Sequence, residues 1–99
     1  MKKIDLIMSL YNAADETGKP EISAAMDALN NTFKALIGFM PAHLLTGDRP
    51  DADIFDAARK ALQTLKRHAD AQGVDFPMPE DERAFRMYII EYGKEVLFR

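Results

Sequence analysis

The sequence predicts an all-α fold, a compact antiparallel bundle of four main helices. Apolar residues recur at steps of three and four in four segments of the chain, which is the period of an amphipathic helix. No segment alternates apolar and polar residues between hairpin turns, as half-buried strands do. The connections are short, which favours antiparallel neighbours. A chain of 99 residues suits one hydrophobic core, so we expect a single helical domain over residues 1–99.

The first helix is predicted from Lys3 to about Thr17. One face of this segment carries Ile4, Ile7, Met8, Tyr11 and Ala14. Gly18 follows, and a glycine at this position predicts a left-handed cap that ends the helix.

The second helix is predicted to begin near Pro20 and Glu21, because proline suits a first turn and glutamate complements the helix dipole. Its apolar stripe contains Ile22, Ala25, Met26, Leu29, Phe33, Leu36, Ile37 and Met40. It should end before Pro41, since the residue that precedes a proline resists the α conformation. The apolar piece from Pro41 to Gly47 could then form a single turn, a short fifth helix.

The third main helix is predicted to start within the segment from Asp48 to Asp53, which combines turn residues with carboxylates suited to capping. Its apolar face contains Ile54, Ala58, Ala61, Leu62, Leu65 and Ala69. Gly73 should be its left-handed cap.

The last helix follows a predicted loop from Val74 to Met78. We expect it to begin at Pro79 with an acidic first turn and to reach Val96 or Leu97. Gly93 lies inside this helix, where a glycine costs about 1 kcal/mol relative to alanine.

The chain lacks residues that several classes of function require. The chain has no cysteine, which excludes thiol nucleophiles and thiolate metal sites. His43 and His68 are its two histidines, and neither has a second ligand one helical turn away. Glu91 and Glu95 lie one turn apart and could flank a site, but a solvated helix face explains them more simply. We therefore predict no enzyme activity, no metal and no cofactor.

Charge and hydropathy further restrict the classes of partner that the chain could bind. The net charge is −3 and no basic block is present, which disfavours nucleic-acid binding. No stretch approaches the roughly 18 apolar residues of a membrane span. The absence of cysteine agrees with a reducing compartment, so we expect a cytoplasmic protein.

Apolar residues are in excess on the last helix. Phe85, Ile89, Tyr92 and Val96 make one stripe, and further apolar residues lie outside it. If the helix were central, the other three would bury this surface. At the edge of the bundle it would instead leave a partner surface of Met87, Ile90 and Phe98, which a homodimer or a helical protein partner would cover.

The leading functional hypothesis is a non-enzymatic helical protein-interaction or regulatory module. The alternative is a small-molecule-binding protein, with weak catalytic chemistry at most. It would use an apolar pocket between helices lined by Met26, Phe33, Phe85 and Tyr88. A flat apolar patch would favour the module, and a pocket with convergent polar groups would favour the alternative. The sequence itself identifies no partner and no ligand.

The chain also resembles the small YoaC-like enterobacterial proteins of unknown function. The resemblance runs along the whole length and includes the start, MKKIDLIMSLYNAADETGKPEIS, and the end, FRMYIIEYGKEVLFR. It implies a small helical bacterial protein of the cytoplasm. It carries over no catalytic or binding residue.

Overall fold

The computed structural model describes residues 2–46 and 52–98, with side chains for residues 2–37 and 53–98. These residues form four α-helices and no strand. The helices are α1 (Lys3–Ala13), α2 (Gly18–Thr46), α3 (Ala52–Gln72) and α4 (Glu82–Leu97). The prediction of an all-α fold with four main helices is confirmed.

Contacts along neighbouring helices give their directions. Glu21 at the start of α2 binds Arg67 near the end of α3. Farther along α2, the Thr32 hydroxyl donates to the Ile54 carbonyl near the start of α3, at 3.1 Å. Because residue numbers rise along one helix as they fall along the other, α2 and α3 are antiparallel.

One hydrophobic cluster draws side chains from all four helices and from the segment before α4. Its fully buried members include Ile4, Ile7, Leu10, Ile22, Leu29, Leu62, Leu65, Phe76, Ile89 and Tyr92. The predicted stripe of the second helix is buried at Ile22, Ala25, Leu29, Phe33 and Leu36. Ile37, which the same stripe included, is 51% exposed, because it lies about 100° around the helix from the buried Leu36.

The junction of α1 and α2 differs from the prediction. α1 ends at Ala13, and Gly18 is the first residue of α2 instead of a left-handed cap. Asp15 explains the change, because its carboxylate accepts hydrogen bonds from the backbone N–H groups of Thr17 and Gly18, at 3.0 and 2.7 Å. An aspartate in this role starts a new helix.

The predicted end of the second helix before Pro41 is wrong. Residues 41–46 continue α2, so the segment from Pro41 to Thr46 is not a separate fifth helix. A proline removes one backbone hydrogen bond and costs about 3 kcal/mol inside a helix, a cost that the rest of a 29-residue helix can offset. Residues 47–51, which held the predicted turn, lie outside the described part of the chain.

The ends of α3 and α4 follow capping rules. Gly73 has φ +71°, and the N–H groups of Gly73 and Val74 donate to the carbonyls of Asp70 and Ala69. This pattern is a Schellman motif, and it confirms the predicted glycine cap. α4 begins three residues after the predicted Pro79, because the Asp81 carboxylate accepts from the Ala84 N–H at 2.7 Å and so acts as the N-cap.

Candidate functional site

α4 has an inner face that packs into the bundle. Phe85, Ile89, Tyr92 and Gly93 on this face are all buried. The Phe85 ring meets the Phe55 ring of α3 edge to face, with centroids 6.4 Å apart. The apolar stripe predicted for the last helix is therefore its core-facing side.

Gly93 of α4 lies directly against the Phe33 side chain of α2. A Cβ atom built on Gly93 would lie 2.1 Å from two atoms of the Phe33 ring, well inside van der Waals contact. Only a residue without a side chain fits there. The sequence had suggested that Gly93 weakens the helix, whereas the structure shows that it makes room for Phe33.

Opposite the inner face, α4 presents a second apolar side to solvent. At about 100° per residue, six residues fall within about 100° of arc on this side. We call them the α4 outer face: Arg83, Met87, Ile90, Lys94, Leu97 and Phe98. Met87 is 47% exposed, Leu97 63% and Phe98 81%, so bulky apolar groups remain in water after folding.

The three residues predicted as a partner surface, Met87, Ile90 and Phe98, all belong to this face, but their surroundings differ. Ile90 is partly buried and packs against the core, whereas Met87 and Phe98 are exposed. Met87 and Phe98 are eleven residues apart, about 16 Å along the helix axis, and Lys94 lies between them. The surface is thus a narrow strip interrupted by a cation.

The charged groups of the strip are cationic. Arg83 and Lys94 are exposed, and neither forms an ion pair with any of the described residues. Arg86, just outside the strip, lies 3.5 Å from Glu82 and 5.2 Å from the centre of the Phe55 ring. The two cations of the strip are therefore available to an external group, while Arg86 is already engaged.

A groove runs beside the strip, between α1, α4 and the segment that precedes α4. Its volume is about 420 Å³. It is lined by Lys3, Leu6, Phe76, Pro77, Met78, Pro79, Ala84, Met87, Tyr88 and Glu91. Met87 thus borders both the groove and the α4 outer face.

Tyr88 forms part of the groove wall. Its ring lies 6.5 Å from the Phe76 ring, and the Lys3 ammonium is 5.2 Å from its centre. Burial, with a smaller effect of the Glu95 carboxylate, raises the pKa of Tyr88 above its ordinary value of 10. A tyrosine is protonated at neutral pH even at its ordinary pKa, so this phenol offers a hydrogen bond and no charge.

The two glutamates of α4 that could have flanked a site hold α1 instead. Glu91 binds the Lys3 ammonium at 2.7 Å, and Glu95 accepts the Ile4 backbone N–H at 3.0 Å. α1 has no side-chain cap of its own, so Glu95 satisfies one of its free N–H groups from another helix. Glu91 is exposed, as the interpretation of a solvated face expects, whereas Glu95 is partly buried and bonded to α1, which that interpretation did not foresee.

The four residues of the alternative pocket lie in different surroundings within the described part of the chain. Phe33 and Phe85 are buried in the core, and Met26 packs against it. Tyr88 faces the groove described above, whereas Phe85 borders a smaller depression of about 230 Å³ on the other side of Met78.

Of the two histidines, His68 is the one whose side chain the structure describes. His68 Nε2 lies 3.0 Å from Glu21 Oε2, and Arg67 binds the same carboxylate. These two partners, His68 first, hold the pKa of Glu21 below its ordinary value of 4.5. His43 lies in the part of α2 whose side chains are not described. Among the described residues, no group of three or more potential ligands is placed to hold a metal ion.

Comparison of the chain with family models, curated proteins and solved structures gives no significant match. The resemblance to YoaC-like proteins stays a prediction. None of the helices within residues 2–46 and 52–98 combines the length and the apolar character that crossing a membrane requires.

Proposed function

We propose that the protein is a non-enzymatic helical interaction module that binds a protein partner through the α4 outer face. The observation that carries the proposal is the exposure of Met87, Leu97 and Phe98 on one side of a helix whose other side is buried. Clustered exposed apolar groups typify recognition surfaces, and Met and Phe are enriched at them.

The polar groups nearest this surface support a role in binding and argue against a role in catalysis. Two contacts join α1 to α4: Lys3 pairs with Glu91, and the Ile4 backbone N–H donates to Glu95. A group that already bridges two helices stabilises the bundle, and acid–base catalysis would require it to be free for a substrate.

We also infer a reducing compartment, the bacterial cytoplasm, as the place where this module acts. The lack of cysteine supports this inference, because disulfides mark oxidising compartments.

The experiment is site-specific photo-crosslinking in cells that naturally produce the chain. A photoreactive amino acid at Phe98 should give protein adducts, and the same group at the exposed Ser23 of α2 is the matched control. Adducts to a second copy would identify a homodimer, and adducts to other chains a heterologous partner. Equal adducts at both positions, or none at Phe98, would contradict the proposal.

A small-molecule-binding role is the second candidate. It is favoured by the groove, whose 420 Å³ falls in the range of about 300–1,000 Å³ that ligand pockets occupy. Native mass spectrometry of gently purified protein tests it. A bound small molecule that is lost in Leu6→Glu, with the fold retained, would favour this candidate over the interaction module.

A further inference from the structure

We propose that the partner of the α4 outer face is an acidic amphipathic helix of another protein. This inference rests on the proposed function and adds the chemistry of the partner to it. The face contains four apolar residues, two cations and no carboxylate, so it is complementary in charge to an anionic apolar strip.

The spacing of the cations sets the pattern that the partner must present. Arg83 and Lys94 are eleven residues apart, so about 16 Å separates their positions along the helix axis. Met87 and Ile90 lie between them on the same side. A partner helix that pairs with both cations therefore carries two carboxylates about three turns apart, with apolar residues on the turns between.

A second copy of the chain meets this requirement poorly. If two α4 outer faces pair antiparallel about their centre, Arg83 lies opposite Phe98 and Met87 lies opposite Lys94. Neither cation then faces a carboxylate, and a parallel pairing brings like charges together. Desolvating unpaired cations opposes association. A helix with carboxylates is therefore a better partner for this face than a second copy of the same face.

An anionic membrane or a nucleic acid also fits less well than an acidic helix. Both are extended surfaces that would approach more of the molecule than its strip of six residues. They would meet a chain with a net charge of −3 and the exposed Glu80, Asp81 and Glu82 at the start of α4. A single helix laid along α4 reaches both cations and approaches less of the remaining negative surface than an extended polyanion would.

The test uses designed helical peptides of about 18 residues, long enough to be helical when bound. The glutamate peptide has leucines on one face and two glutamates eleven residues apart. The glutamine peptide has glutamine at both of these positions, and the lysine peptide has lysine. Fluorescence anisotropy measures the Kd for the intact protein. We expect the glutamate peptide to bind about fivefold more tightly than the glutamine peptide, since two exposed ion pairs contribute modestly. The lysine peptide should bind more weakly than both.

The advantage of the glutamate peptide should disappear in the double variant Arg83→Gln, Lys94→Gln. It should persist in the matched control Lys34→Gln, Lys60→Gln, which removes two exposed cations from α2 and α3. It should also shrink as the salt concentration rises, because salt screens exposed charges.

The alternative outcomes separate this inference from the proposed function. Equal binding of all three peptides, with loss of binding in Phe98→Ala, would overturn the acidic partner and keep the interaction surface. Failure of Phe98→Ala to change binding of any peptide would place the site elsewhere and overturn both. Self-association of the protein alone, or binding to phosphatidylglycerol vesicles that requires Arg83 and Lys94, would replace the acidic helix with that occupant.

Discussion

The inner and outer faces of α4 use the same kinds of side chain for different purposes. Phe85 on the inner face is 5% exposed, and Phe98 on the outer side is 81% exposed. Both are phenylalanines of one short segment, so composition does not distinguish them. Their neighbours do, because the other helices cover one side of α4 and leave the other in water.

This difference separates stability from binding. Apolar area removed from water contributes about 25 cal/mol per Å² wherever the removal takes place. The inner face gains this free energy when the chain folds, and the outer face can gain it only from a partner. Substitutions on the two faces should therefore change different measurements.

The largest expected effect is the contrast between Phe85→Ala and Phe98→Ala. Phe85→Ala should lower the free energy of unfolding by about 3–5 kcal/mol, because it leaves a cavity beside Phe55. Phe98→Ala should change it by less than about 0.5 kcal/mol, as is usual for exposed positions. Chemical denaturation of both variants measures the difference. Similar losses in the two variants would show that Phe98 is covered within the folded monomer.

A smaller effect is expected where the inner face meets α2. Gly93→Ala should destabilise the protein by about 1–3 kcal/mol, because the new methyl group must displace the Phe33 ring. In a Phe33→Ala background the same substitution should be neutral or stabilising, since alanine is the better helix former. Unfolding free energies of the wild type, the two single variants and the double variant complete this double-mutant cycle. A Gly93→Ala protein more stable than the wild type would contradict the close approach.

The smallest effect concerns exposed ion pairs at low pH. His68 and Arg67 lower the pKa of Glu21, and Arg59 lowers that of Glu82. A carboxyl group whose pKa is lower in the folded state stabilises the fold above its unfolded value of 4.5. That contribution is lost as pH falls through the lowered pKa. Denaturation midpoints should therefore decrease slightly below pH 4.5.

The variant Glu21→Gln provides the control for this pH effect. It should lose part of the pH dependence while it keeps the size of the side chain. An unchanged slope in Glu21→Gln would show that the contacts of this carboxylate with His68 and Arg67 contribute nothing to folding.

Local patterns predicted the parts of the fold that depend on neighbouring residues. The spacing of Ile22, Leu29 and Phe33 identified a buried helix face, and Gly73 identified a cap whose hydrogen bonds all lie within six residues. Such features need no knowledge of the rest of the chain.

The parts that were missed depend on distant residues or on competing local signals. Glu95 caps α1 across 91 positions of the chain, and no spacing rule connects two such residues. Gly93 has a role only because Phe33 of another helix packs against it. At Gly18 a glycine rule predicted a helix end, but the Asp15 carboxylate starts α2 there. At Pro41 a proline rule predicted a second helix end, but α2 continues to Thr46.

The candidate surface was predicted in composition but not in shape. An excess of apolar residues on the last helix pointed to Met87, Ile90 and Phe98, and the structure places all three on one side of α4. The roles of Arg83 and Lys94 were missed, because a free cation can be recognised only after the partners of the other charged groups are known.

Amide NMR shifts that map the contact site of the glutamate peptide on the folded protein test the α4 outer face most directly. We predict that the largest shift changes lie along α4 from Arg83 to Phe98, with the dispersion of a fully folded chain retained throughout the titration. Changes centred on Leu6 and Phe76 in the groove would contradict the account. So would broad loss of signals from the buried face of α4, because the outer face would then not be separable from the core.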